Sequence, residues 1–360
     1  MPQYRSRVVE LADPIAGAVR NARTVCLSAP RPASCDFRAV FRAHYQRIRA
    51  ACLEFAEPGV AVFAFSLVDD RWRGTMCLAS RPGELRAGVI GRHSSAALSL
   101  RGEDSLALRH LVVVLEPVAL RDALRGDVRF RVMDLETGSP PLNEQGKPVA
   151  SLTAEGPVFL VCQGYALMAF VTGDATDWPE RADDAWGMLP ERVFVAERAP
   201  VAWGSGPRPM PQPEPPPRRS RDDGDRVGRT TLVRTQAGPS HIAIRPLCED
   251  EPVHGNLIID TRARTDTLRV GLEALRRGLL VGRYERCHAS AISDERVSRV
   301  HLMIVELAGR ACAIDLASSN GTFQLAGDEA TPMRAATLDD GQPIALAGAG
   351  TRVTWRNGAA

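Results

Sequence analysis

Beyond residue 240 the chain falls into short apolar runs, "HIAIRPL", "NLIIDT", "GLLVGR", "HLMIVEL", "ACAIDL", "GTFQL", "QPIALA" and "TRVTW". Many of them alternate apolar and polar residues, and turn formers separate them, which is the pattern of an antiparallel sandwich or barrel. "DTLRVGLEALRRGLL" has helical propensity, but Gly271 and Gly278 interrupt it, and the stretch reads as strand. The first half carries similar runs: "VAVFAFSLV", "TMCLAS", "AGVIGR", "HLVVVLEPV", "DVRFRVMDL", "PVFLVCQ" and "YALMAFVTG". Helical periodicity is confined to Asp36 to Ala56, where Phe37, Val40, Phe41, His44, Ile48, Cys52 and Phe55 share a face and Arg38, Arg42 and Arg49 lie outside it. That face is expected to pack on a neighbouring sheet, with a partner surface as the alternative.

A break separates the halves. "GSGPRPMPQPEPPPRRSRDDGDRVGR", Gly204 to Arg229, places seven prolines between Pro207 and Pro217 and then mixes charges. Such a segment builds no core and is expected to be polyproline-like, then disordered. Extended at ~3.1 Å per residue, its proline part spans roughly 34 Å and would hold two domains apart. A spacer is favoured over a proline-rich ligand for a partner domain. The 360 residues suit two folded units. The division is a helical segment over 1–57, a β domain over 58–203 with its core at 58–173, the linker over 204–229 and a second β domain over 230–360.

Composition mainly excludes. A net charge of +2 gives no basic field for nucleic acid. Lys147 is the only lysine and lies in the turn-like "EQGKPV", so neither a P-loop nor a pyridoxal Schiff base fits. Eight scattered cysteines form no C-x-x-C pair, so zinc and disulfide frameworks lack support and no cofactor is expected. "MPQYRSRVVELADP" has no signal-peptide core, and no apolar run reaches membrane-spanning length. The expectation is a soluble cytoplasmic protein, with no membrane insertion.

The stretch "VSRVH", Val297 to His301, combines serine, arginine and histidine. A hydrolase would need the hydroxyl beside its base on an exposed turn, yet no G-x-S-x-G occurs. In an extended strand Ser298 and His301, three apart, project to opposite faces. Phosphate binding asks instead for donors converging from several loops around an arginine fork. "VGRYE" with Gly282 and Arg283, "VSRVH" with Ser298 and Arg299, and "DLASSNGTF" with Ser319, Asn320, Gly321 and Thr322 are candidates, since loops at one end of a sandwich come together.

The order GR, S-R-x-H, D-L-x-S-x-N-G-T and "LDDGQPIAL" closely resembles the forkhead-associated (FHA) domain family, over about Thr230 to Asn357. The resemblance implies an all-β sandwich that recognises phosphothreonine through loops at one end. It implies that Arg283 contacts the phosphate, Ser298 donates its hydroxyl and backbone to it, Ser319 adds a donor, Asn320 holds the peptide backbone and Arg299 lends charge. Gly282, His301 and Gly321 match positions that shape the loops.

An internal repeat accompanies this pattern. Gly91 precedes His110 by the same interval that separates Gly282 from His301, and "FRVMDLETGS" parallels the run around Asp315 and Leu316. "SLTAEGPVFLV" likewise parallels "TLDDGQPIAL", while a loop around "RDALRG" is longer than its counterpart. Ala107 and Leu108 stand opposite Ser298 and Arg299, and Arg92 alone survives of the grip. The first half is therefore expected to be an α+β region holding a degenerate FHA-like β-sandwich, in a mainly β chain whose C-terminal half is an FHA-type antiparallel β-sandwich.

The leading functional reading is a non-enzymatic phosphothreonine-binding adaptor in Ser/Thr kinase signalling, its partner a phosphorylated protein such as the kinase or its substrate. The alternatives are a scaffold in a larger assembly, for example a secretion-related one, and an enzyme with an unrecognised site in residues 1–203. Resemblance to some bacterial FHA proteins also implies that Thr230 and Thr231, in "DRVGRTTLVRTQ", are candidate phosphoacceptors whose modified segment would occupy the chain's own site.

Overall fold

The computed structural model describes residues 6–10, 35–102, 104–117, 128–190, 194–197, 252–284, 286–289, 292, 294–327, 329–348 and 350–358. Two β-sandwiches carry the strand runs of the two halves. In the first, β2 (Gly59–Ser66) pairs with β3 (Trp72–Ala79) and β10 (Tyr165–Thr172), and β10 with β9 (Val158–Cys162). Facing that sheet are β4 (Arg86–Gly91), β6 (Leu111–Leu115), β7 (Phe130–Asp134) and β8 (Ser151–Ala154), edged by β5 (Leu98–Ser99) and β11 (Phe194–Glu197).

The second sandwich repeats this wiring. β12 (Val253–Thr261) takes the place of β2, between β13 (Thr265–Gly271) and β21 (Thr351–Asn357), and β21 pairs with β20 (Pro343–Leu346). β14 (Leu279–Val281), β15 (Leu302–Leu307), β16 (Arg310–Asp315) and β19 (Ala335–Thr337) form the facing sheet in the order β4, β6, β7, β8. An added hairpin, β17 (Thr322–Ala326) and β18 (Glu329–Met333), extends the first sheet beyond β20. In the first sandwich the equivalent segment shrinks to bridges from Leu142 to Pro148 and Val161, closed by an Asn143 turn. At the other edge β1 (Ser6–Glu10) pairs in parallel with β13, so the segment expected to be helical over 1–57 also contributes a strand to the far domain.

Strand periodicity explains the layering. On β6, Leu111, Val113 and Leu115 enter the first core, while Val112 and Val114 point away from it and are buried all the same. On β15, Leu302 and Ile304 enter the second core while Met303, Val305 and Leu307 point away. These outward residues meet in one cluster, so the β6 and β15 sheets pack face to face and join the two sandwiches. Each side uses the same positions: Val89 and Leu280, Val112 and Met303, Val114 and Val305, Leu135 and Leu316. The expectation that the linker holds two domains apart is thus corrected. The linker itself lies outside the described residues.

Helix α1 (Phe37–Glu54) covers the outer face of β2, β9 and β10. Asp36 caps it, accepting from the Ala39 amide at 3.0 Å. The buried face runs through Phe37, Phe41, Tyr45, Ile48 and Cys52, against Phe63, Phe159 and Phe170. Tyr45 joins the expected stripe and its hydroxyl donates to the Pro179 carbonyl, while His44 stacks on Phe65 at 4.5 Å. Arg49, expected on the outside, donates to the Trp178 and Pro179 carbonyls. In the second half Leu272–Arg277 is helical, correcting the strand expectation, because Gly271 and Gly278 bound the helix and do not interrupt it. Gly278 closes it at φ 86°, a conformation that favours glycine. Among the described residues no helix is long and apolar enough to cross a membrane.

Candidate functional site

Three loops meet at one end of the C-terminal sandwich. The first leaves β14 at Gly282, where a Cβ would collide with the Arg299 carbonyl, so the close approach of the two loops requires glycine. Backbone hydrogen bonds from Arg283 to the Ser298 carbonyl at 3.2 Å and from Tyr284 to the Arg299 carbonyl at 2.9 Å hold that approach. Nε of Arg283 donates to the Val297 carbonyl at 2.5 Å. Its guanidinium is exposed, and no carboxylate pairs with it among the described residues.

Residues 297–300 form an irregular, bent loop, not the extended strand in which Ser298 and His301 would face apart. The Ser298 amide donates to Nδ1 of His301 at 2.9 Å, and Nε2 of His301 donates to the Gly321 carbonyl at 3.1 Å. The ring is fully buried. Burial pushes its pKa down, against the attraction of Asp315, so the neutral ring carries its proton on Nε2. With Nδ1 occupied, His301 cannot serve as base to Ser298. The Ser298 hydroxyl accepts from the Ser319 amide at 3.0 Å and so joins the second loop to the third.

The third loop, between β16 and β17, is built around buried Asp315. Its carboxylate accepts from the Ser318 amide at 2.9 Å and from the Ser318 and Thr322 hydroxyls at 2.5 and 2.6 Å. Ala317 takes φ 54° and Gly321 φ 77°, and these two left-handed residues fold the loop back. Ser319 and Asn320 are exposed at its tip, where Nδ2 of Asn320 donates to the Arg296 carbonyl at 2.7 Å. Arg296 is held in turn by Asp294. The fold thus brings Gly282, Arg283, Ser298, Arg299, His301, Ser319, Asn320 and Gly321 to one end. Asp315, Ser318 and Arg296 join them without a role expected from the sequence, while Thr322, a candidate phosphate donor, is buried and donates to Asp315 instead. For Asp315 the repeated D-L dipeptide was the available signal. Thr230 and Thr231 lie outside the described residues.

The first sandwich reproduces the frame bond for bond. The Ala107 amide donates to Nδ1 of His110 at 3.1 Å, Nε2 of His110 lies 3.1 Å from the Ser139 carbonyl, and Nε of Arg92 donates to the Leu106 carbonyl at 2.5 Å. Glu136, at φ 52°, stands where Ala317 stands. The chemistry differs: Arg92 pairs with Asp104 at 2.9 Å, a methyl replaces the Ser298 hydroxyl, and apolar Leu108 is exposed where Arg299 would be. Among the described residues no cluster of metal-ligating side chains occurs.

No curated protein matches the chain. An FHA domain solved for a structural and functional analysis of phosphothreonine-dependent FHA interactions is 27% identical, covering 29% of this chain and 99% of its own, with a TM-score of 0.23. The FhaA FHA domain, solved in complex with the intracellular domain of Rv3910, is 29% identical over 28% of this chain and 99% of its own, with a TM-score of 0.22. The first FHA domain of Rv1747 from Mycobacterium tuberculosis is 21% identical over 29% and 99%, with a TM-score of 0.24. The family model for the FHA domain matches residues 279–347, which span all three loops, and no family match falls on the first sandwich. Residues 279–347 of this chain are an FHA domain, a member of a family known for binding phosphothreonine peptides.

Proposed function

We propose that the chain is a non-enzymatic adaptor that reads phosphothreonine in a partner protein, a Ser/Thr kinase or its substrate. Arg283 carries this reading. Its guanidinium stands exposed and without a carboxylate partner among the described residues, at the one end of the sandwich where the Ser298, Ser319 and Asn320 loops are already tied together. Preorganised donors around an arginine suit a dianionic phosphate, because charge-assisted hydrogen bonds are the strong ones and little ordering remains to be done on binding. In this reading Arg283 and the Ser298 hydroxyl meet the phosphate, the Ser298 amide being committed to His301 and not free as expected, while Ser319 adds a donor, Asn320 holds the peptide backbone and Arg299 adds charge.

The N-terminal sandwich, in the same reading, is an FHA-like frame that no longer grips phosphate. Its Arg92 is already neutralised by Asp104, an ion pair that an incoming phosphate would have to displace. Thr230 and Thr231 remain candidate phosphoacceptors upstream of the reading domain.

Calorimetric titration with a degenerate phosphothreonine peptide pool and its unphosphorylated twin tests the proposal. The full chain should bind only the phosphorylated pool, and Arg283→Ala should weaken that binding at least tenfold. Equal binding of both pools, or full affinity in the variant, would overturn it.

A further inference from the structure

We propose that Arg109, supplied by the N-terminal sandwich, is a positioning residue for the phosphate-reading loop of the C-terminal one, so that the two sandwiches form a single reading unit. The inference rests on the function proposed above for residues 279–347 and adds to it a residue far away in sequence.

Arg109 is only 5% exposed. Its Nε donates to the Leu316 carbonyl at 2.5 Å, and one terminal nitrogen donates to the Ala317 carbonyl at 2.7 Å. These two carbonyls open the loop that carries Ser318, Ser319 and Asn320. Ala317 is the residue held at φ 54°, a conformation that a β-carbon disfavours and that the surroundings must enforce. A planar fork across two consecutive carbonyls fixes the two peptide planes that flank Ala317, and so its φ and ψ. The next residue, Ser318, is fixed onto Asp315, and the one after donates its amide to Ser298. Arg109 is therefore the first support in a chain of contacts that ends at the candidate phosphate donors.

The link is also fastened from the other side. Arg286, in the loop after Arg283, donates to the Arg109 carbonyl at 3.1 Å, and His288 pairs with Glu136 at 3.1 Å. The binding-end loops of the two sandwiches thus touch one another. Burying a guanidinium is costly unless its donors are used. The two carbonyls use its donors, while burial, with repulsion from Arg286, still lowers its pKa against the attraction of Asp315. The counterpart of Arg109 in the second copy is Val300, buried in the same interface, so this support runs one way, from the copy without the grip to the copy with it.

The test uses the full chain with Arg109→Ala, Arg109→Lys and Val305→Ala. Lysine keeps the charge but lacks the fork, and Val305→Ala weakens the interface without touching the link. Amide exchange without ligand is followed across 316–321 and across β15, alongside titration with the phosphothreonine pool. Arg109→Ala should speed exchange in 316–321 about tenfold, leave β15 unchanged, and lower affinity for the phosphorylated pool about tenfold. Arg109→Lys should fall between it and the parent and guards against misfolding of the alanine variant. Unchanged exchange in 316–321, or the same acceleration in Val305→Ala, would overturn the proposal. If the parent chain cannot tell the two pools apart, the reader function fails by itself, and loop exchange alone decides the role of Arg109.

Discussion

Ser298 and His301 are joined through the ring: the serine amide donates to Nδ1 at 2.9 Å, and Nε2 on the far side donates to the Gly321 carbonyl at 3.1 Å. One neutral imidazole therefore spans two of the three loops of the candidate site, and protonation would turn an acceptor into a second donor facing an N–H.

Stability should depend on pH through this group. Burial lowers the His301 pKa below its ordinary 6.5, so its contribution is fully present above the unfolded value and is lost as pH falls through the folded one. Asp134 works in the opposite sense, since burial pushes it up to about 6 and its contribution is lost as pH rises through that value. Urea denaturation of the parent and of His301→Phe at about pH 7.5 and about pH 5 separates the two, because Asp134 is common to both. On going to the acid condition the parent should lose more stability than the variant.

Ser298→Ala should cost about 1–3 kcal/mol in denaturant midpoint analysis, because the Ser319 amide loses its acceptor. Affinity for the phosphothreonine pool should fall with it. Arg299 is exposed, so Arg299→Ala should leave stability within about 0.5 kcal/mol. Its effect on affinity should shrink as salt is added, which titration at two ionic strengths would reveal.

Gly282→Ala and Gly91→Ala should destabilise alike, by about 1–3 kcal/mol each, since a Cβ at either position strikes the equivalent backbone carbonyl, of Arg299 or Leu108. The change at Gly282 should lower phosphopeptide affinity directly, and the change at Gly91 should lower it less, by displacing Leu108 next to Arg109. Thermal melts paired with titration check both statements.

A protease site placed within residues 204–229 and then cut should leave the halves together on gel filtration, because a buried apolar cluster joins them. Val114→Asp, which puts an unpaired carboxylate into that cluster, should let the cut halves separate.

The C-terminal domain was legible, because the order GR, S-R-x-H, D-L-x-S-x-N-G-T resembles the FHA family, whose model matches residues 279–347. The repeat was legible for a related reason: Gly91 and His110 serve the same packing as Gly282 and His301, and packing survives the loss of Ser298 and Arg299 counterparts. The junction between the sandwiches was not. Runs such as "LVVVL" and "LMIVEL" lack polar alternation because both faces are covered. A run of that kind announces a cover without naming it, and proline content in the linker pointed to separation. Arg109 was invisible for a different reason, since in an arginine-rich chain nothing local distinguishes a buried fork from a solvated one. The helix over Leu272–Arg277 was lost because glycine breaks helices internally and also ends them, and only position tells which.

The junction has the character of a self-association in which like surface meets like. Between separate molecules such a contact would weaken on dilution, and every substitution would appear on both sides at once. Carried within one polypeptide it is independent of protein concentration. It also permits asymmetry: an arginine can stand on one side, at position 109, while valine keeps its place at 300.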